Sequence, residues 1–403
     1  MAYWDGPWTS EDGDAARVQA ASGRAPAGAV SVVSRDAPGA HMVIVRAVDE
    51  VYLYGSTFGA GSTAWVERLD ATTLETLARV DDLAGGPWWP GGMAAHANGS
   101  LHVVHGRWAH RLSVDLRPQA ARELPRNRAY NSFVVLPDGH LVTKDLVMDG
   151  SAPSRLVVLD PDSLEIVAAE VAAPEASIAR LSADHDVVYV VGDHTVFRYH
   201  WDGRRLALDA DWSFRYRTAA DQSYGWDPVI AGGHVWFMDN GAHRYAGTMR
   251  DRGVASGPVH LVRVAVDKAR DHELVEISGV AGGAVTNPPL YDARSRIAVG
   301  YDSANGVLAA FRFDGALTRL WRRDLDTAGH LAWYPDDGTL VAYDHHETED
   351  LVFLDLATGE ERGRAPTSSP IQSVVFPAAV AGAVYYASFS TVAAVSSTRL
   401  ASR

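Results

Sequence analysis

Residues 330–361 read HLAWYPDDGTLVAYDHHETEDLVFLDLATGEE, and most of the chain is a variation on them. The stretch opens with an apolar run, His330 to Tyr334, and reverses at Pro335-Asp-Asp-Gly338. A second run, Thr339 to Tyr343, leads into a polar loop from Asp344 to Asp350. A third, Leu351 to Asp355, ends at the turn Leu356-Ala-Thr-Gly359. Asp-Gly between alternating apolar runs signals a hairpin, because glycine takes the positive φ that the turn needs. Short strands that each reverse form an antiparallel meander. One such sheet leaves an apolar face uncovered, so copies must stack.

Working outward, the same hairpin turn ends at residues 50, 99, 139, 186, 233, 295, 338 and 382. The spacing is 40 to 49 residues except for one gap of 62, which holds an insertion from Gly241 to Gly257. Propeller blades repeat at about 40–50 residues. A second turn recurs after the third strand: LDATTLE from Leu69, LDPDSLE from Leu159, FDGALT from Phe313 and LDLATGE from Leu354. Aspartate at such a turn bonds its own backbone. These turns and the PDG hairpins resemble the blades of quinoprotein-type and YVTN-type β-propellers, over residues 29 to about 400. The resemblance implies a fold and says little of function, because propellers host unrelated activities. LDLATGEERGR lacks the tryptophan-docking consensus of quinoprotein alcohol dehydrogenases, and the scattered Trp-Asp and Gly-His pairs do not recur together in each copy as a WD40 signature would.

The sequence therefore predicts an all-β protein, an eight-bladed β-propeller spanning residues 29–403 as one domain. The last copy offers only three strands, near Gln372–Phe376, Val384–Ser388 and Val392–Ser396. Its missing outer strand is expected from Ala29–Ser34, which closes the ring and removes the exposed edges. A seven-bladed ring is the alternative, if the weak copy at 175–214 is absorbed elsewhere. Residues 1–28 form an N-terminal arm. Rich in Ala, Gly and Asp and without a steady period, it reads as mobile. Trp4 and Trp8 cut across that reading, since they suit docking on the body or covering a cleft.

With 403 residues and 47% apolar content the chain can bury a real core. Its formal charge of −14, with no basic run, argues against nucleic acid and anionic membranes as partners. The absence of cysteine excludes disulfides, thiolate metal sites and a cysteine nucleophile. The first residues carry no basic or apolar signal region and no segment is long enough to span a bilayer, so a cytoplasmic location is expected. No feature specifies an oligomeric state.

A meander fixes which loops share a face. The PDG and LDPDSLE turns form one regular end, and the opposite end carries irregular polar loops, where function usually sits. The lead-ins to the inner strands lie at that irregular end, beside the central channel. They contribute Trp89, Tyr130, Asn131, Tyr224, Trp226, Asp227, Asn287, His330 and Gln372, and His243 joins them from the insertion. A concave site with a few polar groups is the default binding site.

Three pictures compete for this ring. In the first, Asn131, Asp227, Asn287 and His330 hold one divalent cation of the Ca or Mg type, a set that resembles in type the acid and Asn sets of propeller lactonases. In the second, His330 or His345 is a base and Asp227 an acid or orienting group, without metal. In the third, these side chains satisfy backbone groups and fill the channel. The functional expectation is an enzyme with hydrolytic, lactonase-like or lyase-type chemistry on a small, partly apolar substrate at the channel mouth. Asp227 and His330 are its catalytic pair. Asn131, Asn287, Trp89, Tyr130, Tyr224, Trp226, His243 and Gln372 bind substrate, and the insertion serves as a lid. The alternative is a non-catalytic propeller that binds a protein or ligand through its loop face. A GxSxG elbow and a Walker loop are both absent, which removes serine-hydrolase and phosphate-loop chemistry.

Overall fold

Aspartates in the recurring turns fold them locally. Oδ1 of Asp70, Asp160 and Asp355 each accepts the backbone N–H groups two and three residues on, at 2.8–3.0 Å. The residue before the closing glutamate then needs a left-handed backbone. Gly359 meets that need freely at φ 73°, whereas Leu74 and Leu164 adopt it at φ 59° and 61°. Both leucine side chains are fully buried, and their burial offsets the strain.

The protein, described here from a computed structural model covering residues 2–148, 150–374 and 376–398, is a ring of eight four-stranded antiparallel sheets. No helix occurs among the described residues, so none is long and apolar enough to cross a membrane. The inner strands begin at Ala40, Gly92, Val134, Ser182, Val229, Leu290, Ala332 and Ala378. Residues near the axis are buried on both faces, as Met42–Val45 illustrate, so the inner and middle strands read as continuous apolar runs.

The ring closes as the sequence predicts. Val30–Asp36 is the outer strand of the eighth blade and pairs antiparallel with Thr391–Ser397, from Val30 opposite Ser397 to Asp36 opposite Thr391. The copy at 175–214 is a complete fourth blade, with strands from Ser182 to Arg215, and the seven-bladed alternative falls. One strand differs from expectation. The eighth inner strand is Ala378–Val380, and the segment around Gln372 is its lead-in. Pro377 explains the shift, since proline brings no N–H to a ladder.

The arm departs most from the sequence reading, because it is packed inside the ring. Trp8 exchanges two backbone hydrogen bonds with Val45 and is 1% exposed. Carbonyls of Thr9, Ala15, Ala16 and Gln19 accept the N–H groups of Ala95, Ala183, Ile230 and Trp333, on inner strands or just past them in four different blades. These N–H groups face the channel and need partners once water is excluded. Trp4 stays nearer the surface and carries the Arg46 guanidinium 3.7 Å above its ring. The arm thus enters from the regular end, turns within the channel and leaves toward the turn at Asp337, whose Oδ2 accepts the N–H of Ala25.

Candidate functional site: the channel and its mouth

The turning point of the arm places three charges at the axis. Arg17 donates from Nη2 to Glu11 Oε2 at 2.6 Å, from Nη1 to Asp12 Oδ2 at 2.8 Å and from Nε to the Leu181 carbonyl at 3.0 Å. Asp12, Arg17 and Gln19 all hold left-handed backbones, at φ 55°, 59° and 58°. Such strain persists only where surrounding contacts over-determine it. A second guanidinium, Arg180, answers from the lead-in of the fourth blade. Its backbone N–H donates to Asp227 Oδ1 at 2.6 Å, and its side chain reaches Asp227 Oδ2 at 3.5 Å and the Asn131 and Pro90 carbonyls at 3.2 Å each. It lies 3.6 Å from Glu11 Oε2. On the far side, His330 Nδ1 meets Asp12 Oδ1 at 2.8 Å, and its ring packs on Phe376 at 4.1 Å.

Asp227 and His330 are therefore brought into one network, but through the arm. It runs Asp227, Arg180, Glu11, Arg17, Asp12, His330, and every member is less than 5% exposed. Burial pushes the Glu11 carboxyl up to about 7, against the opposing pull of Arg17 and Arg180. Burial acts on Asp12 in the same sense, but His330 and Arg17 outweigh it and hold that carboxyl below its ordinary value. Buried charges of this kind cost stability unless each is paired.

Asn131 and Asn287 serve the ring itself. Asn131 Nδ2 donates to the Ile178 carbonyl on the next blade at 2.9 Å, and Asn287 Nδ2 donates to the Ala328 carbonyl on the next blade along. With Asp227 reaching back to Arg180, three of the predicted polar residues are ties between neighbouring blades. The four proposed metal donors have separate partners: the Asp227 carboxylate faces the Arg180 guanidinium, both amides donate their N–H groups to carbonyls, and His330 Nδ1 faces Asp12. Among the described residues no group of three or more His, Asp or Glu could hold a metal ion.

Tyr130 lies away from the mouth. It is fully buried in an apolar cluster with Leu141 and Val157, and its hydroxyl accepts the Arg126 N–H at 3.3 Å. The remaining aromatics do converge. Trp89 and Trp226 come from lead-ins three blades apart and stack at 6.5 Å with 16° between their planes, so they meet across the channel. Tyr224 and His243 flank Trp226 at 6.3 and 6.1 Å. Burial lifts the Tyr224 phenol to about 12 and lowers the His243 imidazole.

The insertion completes the closure. From the fifth blade it runs to Gln372 on the eighth. Gln372 Oε1 accepts the Met249 N–H at 2.5 Å, its Nε2 donates to the Asp326 carbonyl at 2.8 Å, and its own carbonyl accepts the Tyr245 hydroxyl at 2.8 Å. Met249 is fully buried among Ala284, Ala304 and Ala328. Beyond the stack a second aromatic group reaches solvent. Phe58 is 57% exposed and packs on Trp88 at 5.2 Å. Trp88 and Tyr245 both pack on Phe389, at 6.0 and 6.2 Å.

Sequence reasoning missed Arg17, Arg180, Glu11 and Asp12. The available signal was a lone arginine within an apolar stretch, in Ala15-Ala-Arg-Val18 and again in Ile178-Ala-Arg-Leu181. Such an arginine is buried only when paired. His345, considered as a base, is half-buried in the strand Thr339–His345 of the seventh blade, opposite Glu349.

No family model matches the chain, and no curated protein matches its sequence. Solved structures do resemble it. BamB from Moraxella catarrhalis is 13% identical with a TM-score of 0.58, covering 91% of this chain and 100% of its own. The quinohemoprotein alcohol dehydrogenase ADHIIG from Pseudomonas putida HK5 is 9% identical with a TM-score of 0.67, covering 98% of this chain and 82% of its own. Virginiamycin B lyase from Staphylococcus aureus is 8% identical with a TM-score of 0.50, covering 92% of this chain and 100% of its own. The likeness is to the β-propeller fold. Two of these proteins are enzymes by name and BamB is not, so the likeness leaves function open.

Proposed function

We propose that this protein is a non-catalytic binding propeller that holds a segment of a partner protein on its loop face, around the closed channel mouth. One observation carries the reading: the rings of Phe58, Trp88, Phe389 and Tyr245 form a continuous surface cluster there, with Phe58 57% exposed. Aromatic side chains supply large contact area at low entropic cost and dominate binding hot spots. Of the groups suited to acid–base chemistry, Asp227 accepts from Arg180 and His330 faces Asp12.

A hydrolytic or lyase-type activity on a small, partly apolar substrate is the second reading. Two observations favour it: the insertion is clamped over the Trp226 wall chiefly by Gln372, as a lid would be, and Glu11 titrates near neutrality. A panel of lactones and aryl esters, together with a labelled phenylalanine-rich peptide, separates the two. The binding reading expects no turnover, and peptide affinity that falls at least about tenfold in a Phe58→Ala, Trp88→Ala variant. Turnover that drops about a hundredfold or more with Asp227→Asn or His330→Ala would establish the enzyme instead.

A further inference from the structure

The insertion carries a feature that neither the fold nor the closed channel uses. Residues 242–254 form a short two-stranded hairpin. His243 bridges Gly253, Arg244 N–H donates to the Arg252 carbonyl at 3.0 Å, and Val254 N–H donates to the Ala242 carbonyl at 3.0 Å. Arg244 and Arg252 are thus directly opposite each other, and opposed residues of a ribbon project on the same face. Both are exposed. Like charges in that relation repel, and a scaffold normally avoids or neutralises them. Here neither guanidinium has a hydrogen-bond or ion-pair partner among the described residues, whereas the neighbouring Arg250 is engaged by Asp326 at 3.1 Å. The pair borders a cavity of about 260 Å³, lined by Arg244, Asp251, Arg252, Gly253 and Val254.

The hairpin adjoins the aromatic cluster. His243 and Tyr245, on either side of Arg244, contact Trp226 and Phe389 respectively. Side chains alternate along the strand, so His243 and Tyr245 rest on these rings while Arg244 and Arg252 cap the opposite, outer face of the hairpin, close to the half-buried Trp88 and Phe389 and the exposed Phe58. Resting on the loop-face reading above, we infer that the Arg244–Arg252 pair binds a carboxylate of the partner segment, so that the ligand is an acidic peptide with aromatic or apolar residues beside its acid. Two guanidinium forks can chelate one carboxylate through charge-assisted hydrogen bonds, which relieves the repulsion between them. Asp251 reduces the local charge of the pocket to +1, the complement of one carboxylate. The whole chain's formal charge of −14 disfavours an extended polyanion such as nucleic acid or an anionic bilayer.

Fluorescence anisotropy with two labelled octapeptides tests this on the full-length protein. One alternates aspartate with phenylalanine and the other lysine with phenylalanine. The acidic peptide is expected to bind at least about tenfold tighter, a difference of about 1.4 kcal/mol. Arg244→Glu with Arg252→Glu should abolish that preference, and raising salt from about 50 to 300 mM should weaken the acidic peptide severalfold. Equal binding of the two peptides, binding of neither, or a preference that survives the charge reversal overturns the inference. So does displacement of the acidic peptide by succinate at matching concentration, which would make the ligand a free organic acid. If binding needs Phe58 and Trp88 but ignores the arginines, the loop-face reading stands and this inference alone fails. If binding needs the arginines and ignores the aromatics, the loop-face reading fails. Unchanged melting temperatures for the exposed variants confirm that binding, not folding, is being read.

Discussion

Two arginine pairs define this molecule, and they live under opposite rules. Arg17 and Arg180 sit at the channel axis, each less than 5% exposed, surrounded by Glu11, Asp12 and Asp227. Arg244 and Arg252 sit on the insertion, exposed, opposed and unpaired among the described residues. The chemistry of the side chain is identical in both places. Burial decides what it can do. Inside, the desolvation penalty forces each charge to take an opposite charge as its neighbour, and only Glu11 Oε1 and His330 Nε2 in this network are buried without a hydrogen bond among the described residues. Outside, water solvates the guanidinium, so it can remain unpaired until an anion arrives. The ring of polar lead-in residues looks like a site in sequence because it is rich in functional groups. In the structure Asn131, Asp227 and Asn287 tie neighbouring blades, and His330 ties its blade to the arm.

The largest expected effect breaks the inner pair. Arg17→Ala leaves Glu11 and Asp12 buried without their common partner, and removing one member of a buried pair typically costs about 3–5 kcal/mol. Urea denaturation should show a loss of that size, against less than about 0.5 kcal/mol for Arg252→Ala on the surface. Comparable midpoints for the two variants would erase the distinction drawn above.

A second effect concerns pH. Burial raises Glu349 to about 8, opposed by the Tyr386 hydroxyl and the Ser373 N–H that donate to it, and raises Glu11 to about 7. Between the ordinary value of 4.5 and these folded values, the native state keeps protons that the unfolded chain has lost. Stability from these groups is therefore complete below about pH 4.5 and declines as pH rises, until it levels off near pH 8 for Glu349. The limiting slope is roughly 1.4 kcal/mol per pH unit for each group. Glu349→Gln should flatten the decline measured by thermal denaturation between pH 5 and 8; a variant with the wild-type slope would mean that Glu349 ionises in place.

The smallest effect sharpens the boundary between the two regions. Gln372→Ala removes the side-chain contacts to Met249 N–H and the Asp326 carbonyl, at about 1–2 kcal/mol locally. Amide exchange across residues 241–257 should quicken, while the inner strands and the arm keep their protection. Unchanged exchange in the insertion would show that Met249 and its alanine contacts hold it without Gln372.

Local chemistry determined much of this protein from sequence alone. Turns are written within four or five residues, as Asp70, Asp160 and Gly338 show, and alternating apolar runs are written within ten. Counting them favoured eight blades over seven and closure by Ala29–Ser34, which the strand Val30–Asp36 supplies, because a three-stranded last copy leaves an edge that an outer strand must cover. The lead-ins were likewise legible as the lining of one channel. What those residues do there was decided only in three dimensions. His330 meets Asp12 across 318 positions of sequence, and Arg180 meets Asp227 across 47. No local pattern encodes such a pairing: its stability comes from excluding water around both partners at once, which exists only after the ring has closed and the arm has entered it.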